Sequence, residues 1–384
     1  MSALIFQFPA QLKEFFCSYR VLQISLFSGL NLLLSLFSGL NLLCRTLVVK
    51  QKFRRSLRLS LVAVLTALVV AACGNNPKVS NRDTAPAKMN SSCQVVQHKL
   101  GETQICEQPQ RIIALDPHVL DLMLSLGVQP AGYAEVNYLA SKNSGEIIKQ
   151  IPYLGSYVTS NPISVGTREQ PSLEAILRLE PDLILRDWPN SSLYAKLSKI
   201  APTLFFRNKP DKYQWQQGLL TLGQVLEREQ RARQVIEEHN QRIATARSEL
   251  RSLTRDSEVL LLSMSGSERI EVFADETFAG ALLQDLGFKL VTPEDLQASS
   301  SEIPISLETL PQLNADRIIV MASGKSNIEN IEKVWQQNPI LRSLPAFQAG
   351  QVYFVDYQLW SRIRGPIATK LIIKQIRSLF LEPN

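Results

Sequence analysis

The chain from residue 109 onward shows short apolar runs that alternate with stretches of helical spacing. Residues 109–115 end in the apolar run IIAL, residues 117–127 carry apolar side chains at helical intervals, and a further apolar run follows Pro130. A strand, a helix and a strand within this length predict a parallel pair with a right-handed crossover. The same alternation predicts helices at 173–179 and 191–200, and strands at 182–186 and 203–206.

The middle of the chain carries a longer helical pattern, from residue 212 to 253. Gly223 is expected to divide this pattern into two helices. The second, over 227–253, has apolar positions at spacings near three, four and seven and contains neither Gly nor Pro. Its central position predicts a rigid helix that joins two lobes. An ordinary surface helix would show the same periodicity and is the alternative.

The alternation of strands and helices resumes after this helix. Strands are predicted at 259–263, 288–291, 317–322 and 351–355, and helices at 276–286, 306–313, 328–336 and 366–380. We therefore expect an α/β fold. It consists of two doubly wound Rossmann-like lobes, 93–226 and 254–384, joined by the helix 227–253, with a ligand cleft between the lobes.

An internal repeat supports two lobes of similar build. PSLEAILRLEPDLIL at 171–185 and ISLETLPQLNADRII at 305–319 share Ser-Leu-Glu at the start and an Asp, Asp182 or Asp316, before a buried run. Each copy predicts a helix that begins at a Ser cap, then a turn and a strand.

The amino-terminal 73 residues have the pattern of an export signal. FRRSLR at 53–58 is basic, residues 59–70 are apolar but short for a membrane span, and Val70-Ala-Ala-Cys73 resembles a bacterial lipobox. That resemblance implies cleavage before Cys73 and diacylglycerol on its thiol, which would anchor the protein to the membrane on the periplasmic side. A buried cysteine at the end of a core helix is the weaker alternative. Residues 74–92 are polar and predict a flexible tether.

Residues 1–52 do not fit a signal at the chain start. They contain a tandem repeat, SLFSGLNLLL at 25–34 and SLFSGLNLLC at 35–44, and the uncharged stretch 21–43 is long enough to span a bilayer. Either this stretch is an additional membrane helix or translation starts near residues 46–50. We expect the second, because a lipoprotein signal is processed from the amino terminus.

The basic charge of the chain belongs to this leader. Residues 1–73 carry a net charge of +7, and the other 33 basic and 34 acidic residues lie in 74–384. The body is therefore close to neutral, and the composition gives no reason to expect a nucleic-acid partner.

Two cysteines remain in the body after the lipobox. The segment 93–106 has the pattern of a β-hairpin that turns at residues 99–101, which places Cys93 opposite Cys106. An exported domain keeps disulfides, so we predict a bond between them. Free thiols, or a bond to another chain, are the alternatives.

Three groups of motifs in order resemble the ferric-siderophore-binding proteins of ABC importers, lipid-anchored or periplasmic. The first is QHKLGET at 97–103 with PQRI at 109–112. The second is GTREQPSLE at 166–174 with LEPDLIL at 179–185. The third is NPILRSLPAFQAGQVYFVD at 338–356, followed by Trp360. The resemblance covers roughly 93–384 and is specific because the motifs occur together.

The resemblance implies two lobes joined by one helix, a ligand at the carboxyl ends of the strands, and no enzymatic activity. It also implies that one acidic residue on each lobe docks to the permease, and Glu174 and Glu308 match by position. Acidic residues in a first helical turn are also favoured by the helix dipole whatever the function.

The resemblance places a ligand-contacting arginine at Arg168; pairing with Glu169 at the surface is the alternative. Anionic iron chelates suit arginine, whose planar fork binds pairs of oxygen atoms, and aromatic walls. Other candidates follow predicted strands, at the end where a cleft is expected: Arg186, Trp188, Tyr357, Trp360, Arg362 and Arg364. Trp188 could instead cap its lobe, and Arg364 could form a salt bridge.

Several alternatives remain at the level of sequence. The chain has three His, too few for a direct carrier of zinc or manganese, and no cofactor is expected. A metal-cluster enzyme of related fold would need more cysteines than Cys93 and Cys106. Haem or a corrinoid could replace the ferric siderophore, and a tethered sensor could share the same fold. The identity of the chelate is not specified by these motifs.

Overall fold

The computed structural model describes residues 93–136, 151–187, 190–206, 214–255, 257–293 and 301–381. The predicted leader, the lipobox at Cys73, the tether 74–92 and Trp188 lie outside the described residues, and so does the apolar stretch 21–43. Among the residues described, no helix is both long enough and apolar enough to cross a membrane.

An antiparallel hairpin begins the described chain. Strands β1 (Gln94–His98) and β2 (Gly101–Ile105) pair directly, as the hairpin pattern predicts, and this brings the sulfur atoms of Cys93 and Cys106 within bonding distance at their open end. The hairpin is fixed to the first lobe by Thr103, whose buried hydroxyl donates to the carbonyl oxygen of Thr203 at 2.7 Å.

The first lobe contains a five-stranded parallel sheet in the order β5-β4-β3-β6-β7. This is the strand order of a doubly wound fold, which winds outward in both directions from β3. Its strands are β3 (Ile112–Ala114), β4 (Gly132–Glu135), β5 (Ile163–Thr167), β6 (Leu183–Arg186) and β7 (Thr203–Phe205), and its helices are α1 (Pro117–Ser125), α2 (Leu173–Arg178) and α3 (Ser191–Leu197). The pattern did not predict β5, an edge strand with little burial.

Three helices connect the lobes: α4 (Gln214–Val225), α5 (Glu229–Glu249) and α6 (Arg251–Thr254). The predicted break at Gly223 is wrong, because Gly223 lies inside α4. The chain turns instead at Glu227, which has a φ of 56°. Gly223 is needed for packing, since a Cβ there would lie 2.8 Å from the Cβ of Ala232. The lack of a side chain thus lets α4 and α5 pack closely.

The second lobe has a mixed six-stranded sheet, in contrast to the parallel sheet of the first lobe. The order is β11-β9-β8-β12-β13, with β10 beside the start of β8; β9 and β11 form antiparallel pairs. Its strands are β8 (Glu258–Ser265), β9 (Arg269–Phe273), β10 (Lys289–Leu290), β11 (Glu302–Ile305), β12 (Arg317–Ala322) and β13 (Val352–Asp356). Its helices are α7 (Phe278–Asp285), α8 (Ile328–Gln337), α9 (Pro339–Ser343), α10 (Pro345–Gln348) and α11 (Pro366–Leu381).

The internal repeat has the same role in both lobes, with two differences. The Ser cap predicted for the second copy is wrong, because Ser306 makes no side-chain capping hydrogen bond, and the helix type also differs. Asp182 accepts hydrogen bonds from the backbone amides of residues 110 and 111, and Asp316 accepts one from the amide of Glu258, so each fixes the start of a neighbouring strand. Ser172 caps α2 as predicted. The second copy forms a 3-10 helix (Leu307–Gln312) instead of an α-helix, and Pro311 inside it removes a backbone donor.

The α/β class, with two sheets and a long helix between them, is as the sequence predicts. One continuous apolar core contains residues of both sheets together with α1, α5 and α11, and two smaller cores lie on the other sheet faces. Because the main core is shared, the two lobes are held together by apolar packing beneath the cleft.

Candidate functional site

The carboxyl ends of the two sheets face each other. Side chains after β3, β4 and β6 contact the segment after β13, as expected for a ligand site of open α/β sheets. Polar contacts between the lobes at the cleft include His118 Nδ1 to the Ile363 carbonyl (3.3 Å), Gln358 Nε2 to Glu135 Oε1 (3.4 Å), Tyr153 OH to Asp356 Oδ2 (2.8 Å), and the ion pair of Arg364 with Asp187.

Arg168 and Arg186 lie beneath the surface of the cleft rather than on it. Arg168 is 6% exposed; its Nε donates to Glu169 at 2.9 Å, and its Nη1 lies 3.8 Å from Asp116 Oδ1. Arg186 is fully buried and donates to the carbonyl oxygen of Arg168 at 3.0 Å. The expectation that Arg186 projects into the cleft is therefore wrong. Because β6 is a central strand, its last side chain is covered by its neighbours.

The two arginines offset buried carboxylates. Asp116 accepts the backbone amide of Asp187 at 2.8 Å. Burial, together with the charge of Asp187, raises the pKa of Asp116 to about 6, and Arg168 and Arg186 oppose that rise. Asp116, Arg168, Arg186 and Asp187 thus form a buried layer beneath the cleft, which we call the floor. It contains both signs of charge in a region with little access to water.

Glu135, at the end of β4, is a further buried acidic group of this network, and its Oε1 lies 3.4 Å from Gln358 Nε2 of the second lobe. It accepts hydrogen bonds from the hydroxyl of Tyr133 and the amide of Val136, both at 2.7 Å. Burial raises the pKa of Glu135 to about 7, against the effect of these donors and of Arg168 and Arg362. The Glu135 carboxyl therefore changes charge near neutral pH.

The second lobe contributes the segment after β13. Residues Gln358–Ile363 form a turn of π-helix, a form that is common at functional sites. The guanidinium of Arg362 lies 5.0 Å from the ring centre of Tyr357, whose ring meets Phe273 edge-on. Tyr357, Arg362 and Arg364 are all partly exposed. Among the described arginine and aromatic residues predicted to bind the ligand, these three side chains are therefore the accessible ones.

Trp360 does not line the cleft, so its expected role as an aromatic wall is wrong. Its indole is fully buried in the core, and its Nε1 donates to Gln375 Oε1 of α11 at 2.8 Å. In the π-helical turn, Trp360 points away from the solvent, whereas Tyr357 and Arg362 remain accessible.

Sequence reasoning missed part of the site. A hollow of about 450 Å³ opens at the carboxyl ends of β12 and β13, lined among others by Lys325, Asn327, Asp356 and Gln358. The strand-end rule that selected residues after β13 applies equally to the loop after β12, so the signal was present. Tyr153 carried no such signal, because it reaches Asp356 from an irregular segment.

Glu174 and Glu308 are both exposed and both lie on the cleft side of the sheets. Glu174 follows β5, and its carboxylate is 2.6 Å from Arg178 Nη2. Glu308 follows β11, which runs in the same direction as β8 because both pair antiparallel to β9. The two carboxylates therefore stand beside the cleft, one on each lobe.

No three His, Cys, Asp or Glu side chains of the described ranges are placed to hold a metal ion. The site is instead a polar and aromatic cleft between two lobes on a fixed helical support, which is the architecture of a substrate-binding protein.

Comparison with known proteins identifies the family. The sequence profile of the periplasmic binding protein family matches residues 112–359, and the chain belongs to this family. It is 30% identical to the Fe(3+) dicitrate-binding periplasmic protein FecB of Escherichia coli, over 74% of this chain and 89% of FecB. It is 26% identical to the Fe(3+)-citrate-binding protein YfmC of Bacillus subtilis, over 82% of this chain and 94% of YfmC.

Solved structures show the same architecture. Staphylococcus aureus SirA complexed with staphyloferrin B superposes with a TM-score of 0.61 at 26% identity, covering 74% of this chain and 97% of SirA. The petrobactin-binding protein YclQ of Bacillus subtilis has a TM-score of 0.62 at 20% identity, covering 76% of this chain and 99% of YclQ, and shows the fold. These relatives are substrate-binding proteins, so this chain is a binding protein rather than an enzyme.

Proposed function

We propose that this protein captures a ferric siderophore or ferric citrate chelate in the cleft and delivers it to an ABC permease. A diacylglycerol anchor on Cys73 holds it to the membrane in the periplasm. The observation that carries the proposal is the group of Tyr357, Arg362 and Arg364 after β13, at the place where Asp187 and Tyr153 of the first lobe reach the second lobe. The names of the relatives support iron chelates as the ligand class.

The cleft suits a ligand that presents many oxygen atoms. Arg362 and Tyr357 supply an accessible guanidinium and an aromatic face, and Trp188 is proposed as a second aromatic contact. Arg168 and Arg186 act from beneath by offsetting the charge of the buried carboxyl groups, and the partly exposed Arg364 pairs with Asp187. Three buried atoms at the cleft, Asp116 Oδ1, Gln358 Oε1 and Arg364 Nε, have no hydrogen-bond partner among the described residues. These three atoms can therefore form hydrogen bonds with the ligand or with water.

Arg362→Gln is expected to weaken binding of the ferric chelate by about 10- to 100-fold, because a bidentate charge-assisted contact contributes roughly 1.5–3 kcal/mol. Tryptophan fluorescence of the purified protein is titrated with ferric citrate, a ferric hydroxamate, a ferric catecholate, haem and cobalamin. We expect one class of iron chelate to quench the fluorescence at low concentration.

Arg342→Gln is the matched control, because Arg342 is an exposed arginine on α9, outside the cleft. If the Arg362→Gln and Arg342→Gln variants bind the ferric chelate with equal affinity, Arg362 does not contact the ligand. Saturable binding of haem or cobalamin, with no response to any iron chelate, would contradict the proposed ligand class.

The paired substitution Glu174→Ala and Glu308→Ala is expected to lower chelate uptake by cells at least about tenfold while leaving chelate affinity unchanged. Each exposed carboxylate would dock in a basic pocket of the permease, where an ion pair is desolvated on binding. Radiolabelled iron uptake and fluorescence titration are measured on the same variants. Glu237→Ala with Glu332→Ala, acidic residues of α5 and α8 that do not line the cleft hollow, is the control. Normal uptake by the first pair would exclude this docking role.

Lipid attachment is tested separately from ligand binding. Cys73→Ala is expected to abolish incorporation of a labelled fatty acid into the protein and to release it from the membrane fraction. Retained membrane association with no label would contradict the lipid anchor.

A further inference from the structure

A second, larger hollow lies along the helices that connect the lobes. It has a volume of about 780 Å³. One wall is formed by α5 and α6 and the other by the segment around β10. Lys289, in β10, pairs with Glu258, the first residue of β8, so this hollow lies at the amino end of the second sheet. Because β8 has eight residues, the hollow is roughly 25 Å from the cleft. We call it the basic groove.

Among the described residues, the lining of the basic groove is mostly basic. Its described lining includes four basic side chains and one acidic side chain: Arg247, Arg251, Arg255, Lys289 and Asp285. The four basic side chains are exposed, and none of them forms an ion pair with a described residue. Nearby Glu249 is already occupied by Arg377, at 2.7 Å. Like charges that share one hollow repel each other, and a bound anion would offset this repulsion.

The spacing of the arginines indicates the kind of anion. Arg247, Arg251 and Arg255 recur every four residues along α5, α6 and the residue after it, so they follow one side of a nearly continuous helix. The first and last of them are about 12 Å apart along the helix axis. Orthophosphate would contact one or two of these guanidinium groups, whereas a row of phosphate groups would reach all three. Guanidinium forks bind phosphate oxygens in pairs.

A buried imidazole completes the inner wall. His239 of α5 lines the basic groove and is 6% exposed, and its Nδ1 has no hydrogen-bond partner among the described residues. Its ring is held edge-on against Trp215. The Nδ1 atom of His239 can therefore form a hydrogen bond with a polar ligand in the basic groove.

We propose that the basic groove binds a phosphate-bearing polyanion, supplied either by a soluble polyphosphate compound or by the headgroups of an anionic lipid surface. The shared chemistry is a row of phosphate oxyanions along the three arginines, with Lys289 opposite. The site is independent of the ferric chelate, and it faces away from the cleft.

The test uses the full chain in non-ionic detergent and isothermal titration calorimetry at low ionic strength. Sodium tripolyphosphate is expected to bind at least about tenfold more tightly than orthophosphate. The triple variant Arg247→Gln, Arg251→Gln and Arg255→Gln is expected to lose at least about 30-fold in tripolyphosphate affinity, because each arginine contributes a charge-assisted contact. The control Lys196→Gln, Lys333→Gln and Arg342→Gln makes the same change in net charge elsewhere on the surface.

A second arm distinguishes the source of the phosphate. The protein is reconstituted in vesicles of phosphatidylcholine with or without phosphatidylglycerol, and amide hydrogen exchange is followed over residues 243–255. Slower exchange only with phosphatidylglycerol, lost in the triple arginine variant, assigns the site to lipid. Tripolyphosphate binding without this protection assigns it to a soluble compound.

The proposal is overturned if neither arm shows binding, or if the control triple variant loses as much as the arginine variant. Fluorescence titration with the ferric chelate serves as the fold check. The triple arginine variant is expected to keep the chelate affinity of the wild type, because the basic groove is distant from the cleft.

Discussion

Asp121→Ala is expected to lower the free energy of unfolding by about 3 kcal/mol, although Asp121 lies outside the cleft. Its buried carboxylate, on α1 of the first lobe, accepts the amides of Ile367 (3.1 Å) and Ala368 (2.9 Å) at the start of α11 in the second lobe. Alanine would leave both buried amides without an acceptor, at a cost of roughly 1–3 kcal/mol each. Urea unfolding followed by circular dichroism measures the loss.

The two lobes approach each other closely at Asp121, which explains why Asp121→Ala is expected to be strongly destabilising. Gly365 lies so near that a Cβ on it would stand 2.5 Å from Asp121 Cγ. Burial raises the pKa of Asp121 to about 7, and the two amides and the hydroxyl of Ser125 oppose that rise. Asp121 thus caps a helix that belongs to the other lobe and fixes the relative position of the lobes.

Asn338→Ala is the matched control for Asp121→Ala. Asn338 also accepts two backbone amides, those of Ile340 and Leu341, but it does so within one lobe and nearer the surface. We expect it to cost about 1 kcal/mol and to leave chelate affinity unchanged. If Asp121→Ala is no more destabilising than Asn338→Ala and does not alter chelate affinity, Asp121 does not fix the relative position of the lobes.

Arg364→Ala is expected to destabilise the protein by about 3 kcal/mol and to weaken chelate binding at least about tenfold. Arg364 forms the cross-lobe ion pair with Asp187, whose side chain is only 2% exposed. Removing one partner of a buried pair leaves the other charge without compensation, which typically costs 3–5 kcal/mol. Thermal unfolding and fluorescence titration measure the two effects on the same preparation.

Two further variants separate the ion pair from the backbone at this position. Arg364 has a φ of 46°, a left-handed conformation that costs a non-glycine residue roughly 1 kcal/mol. Arg364→Gly should therefore be about 1 kcal/mol more stable than Arg364→Ala. Adding Asp187→Asn to Arg364→Ala should restore part of the loss, because it removes the isolated charge. No recovery in this double variant would show that Asp187 is not the affected group.

Much of the fold could be predicted because its signals are local. The apolar runs of β3, β6, β8 and β12 identify central strands, since a strand covered on both faces has few polar positions. The Cys93–Cys106 hairpin was also evident from its turn. Strands β5, β9 and β11 were missed, because partial exposure leaves a weak pattern. The second copy of the repeat was predicted as an α-helix, and Pro311 made it a 3-10 helix.

The candidate site could be predicted only in part. The rule that ligand residues follow strand ends selected the right segments, including that of Arg362 and Tyr357. It did not separate Trp360 and Arg186, which are buried, from neighbours that are accessible. Asp121 and Glu135 gave no signal, since their partners lie more than 200 residues away along the chain.

The sequence by itself determined the class of fold, the strand ends at which the cleft forms and the presence of cationic and aromatic side chains there. These properties follow from apolar periodicity and turn residues within short windows. Only the tertiary structure decided which of those side chains face solvent, which are paired with buried carboxylates, and where the basic groove lies. Burial and charge pairing depend on the element that packs against each residue, and those elements come from distant parts of the chain.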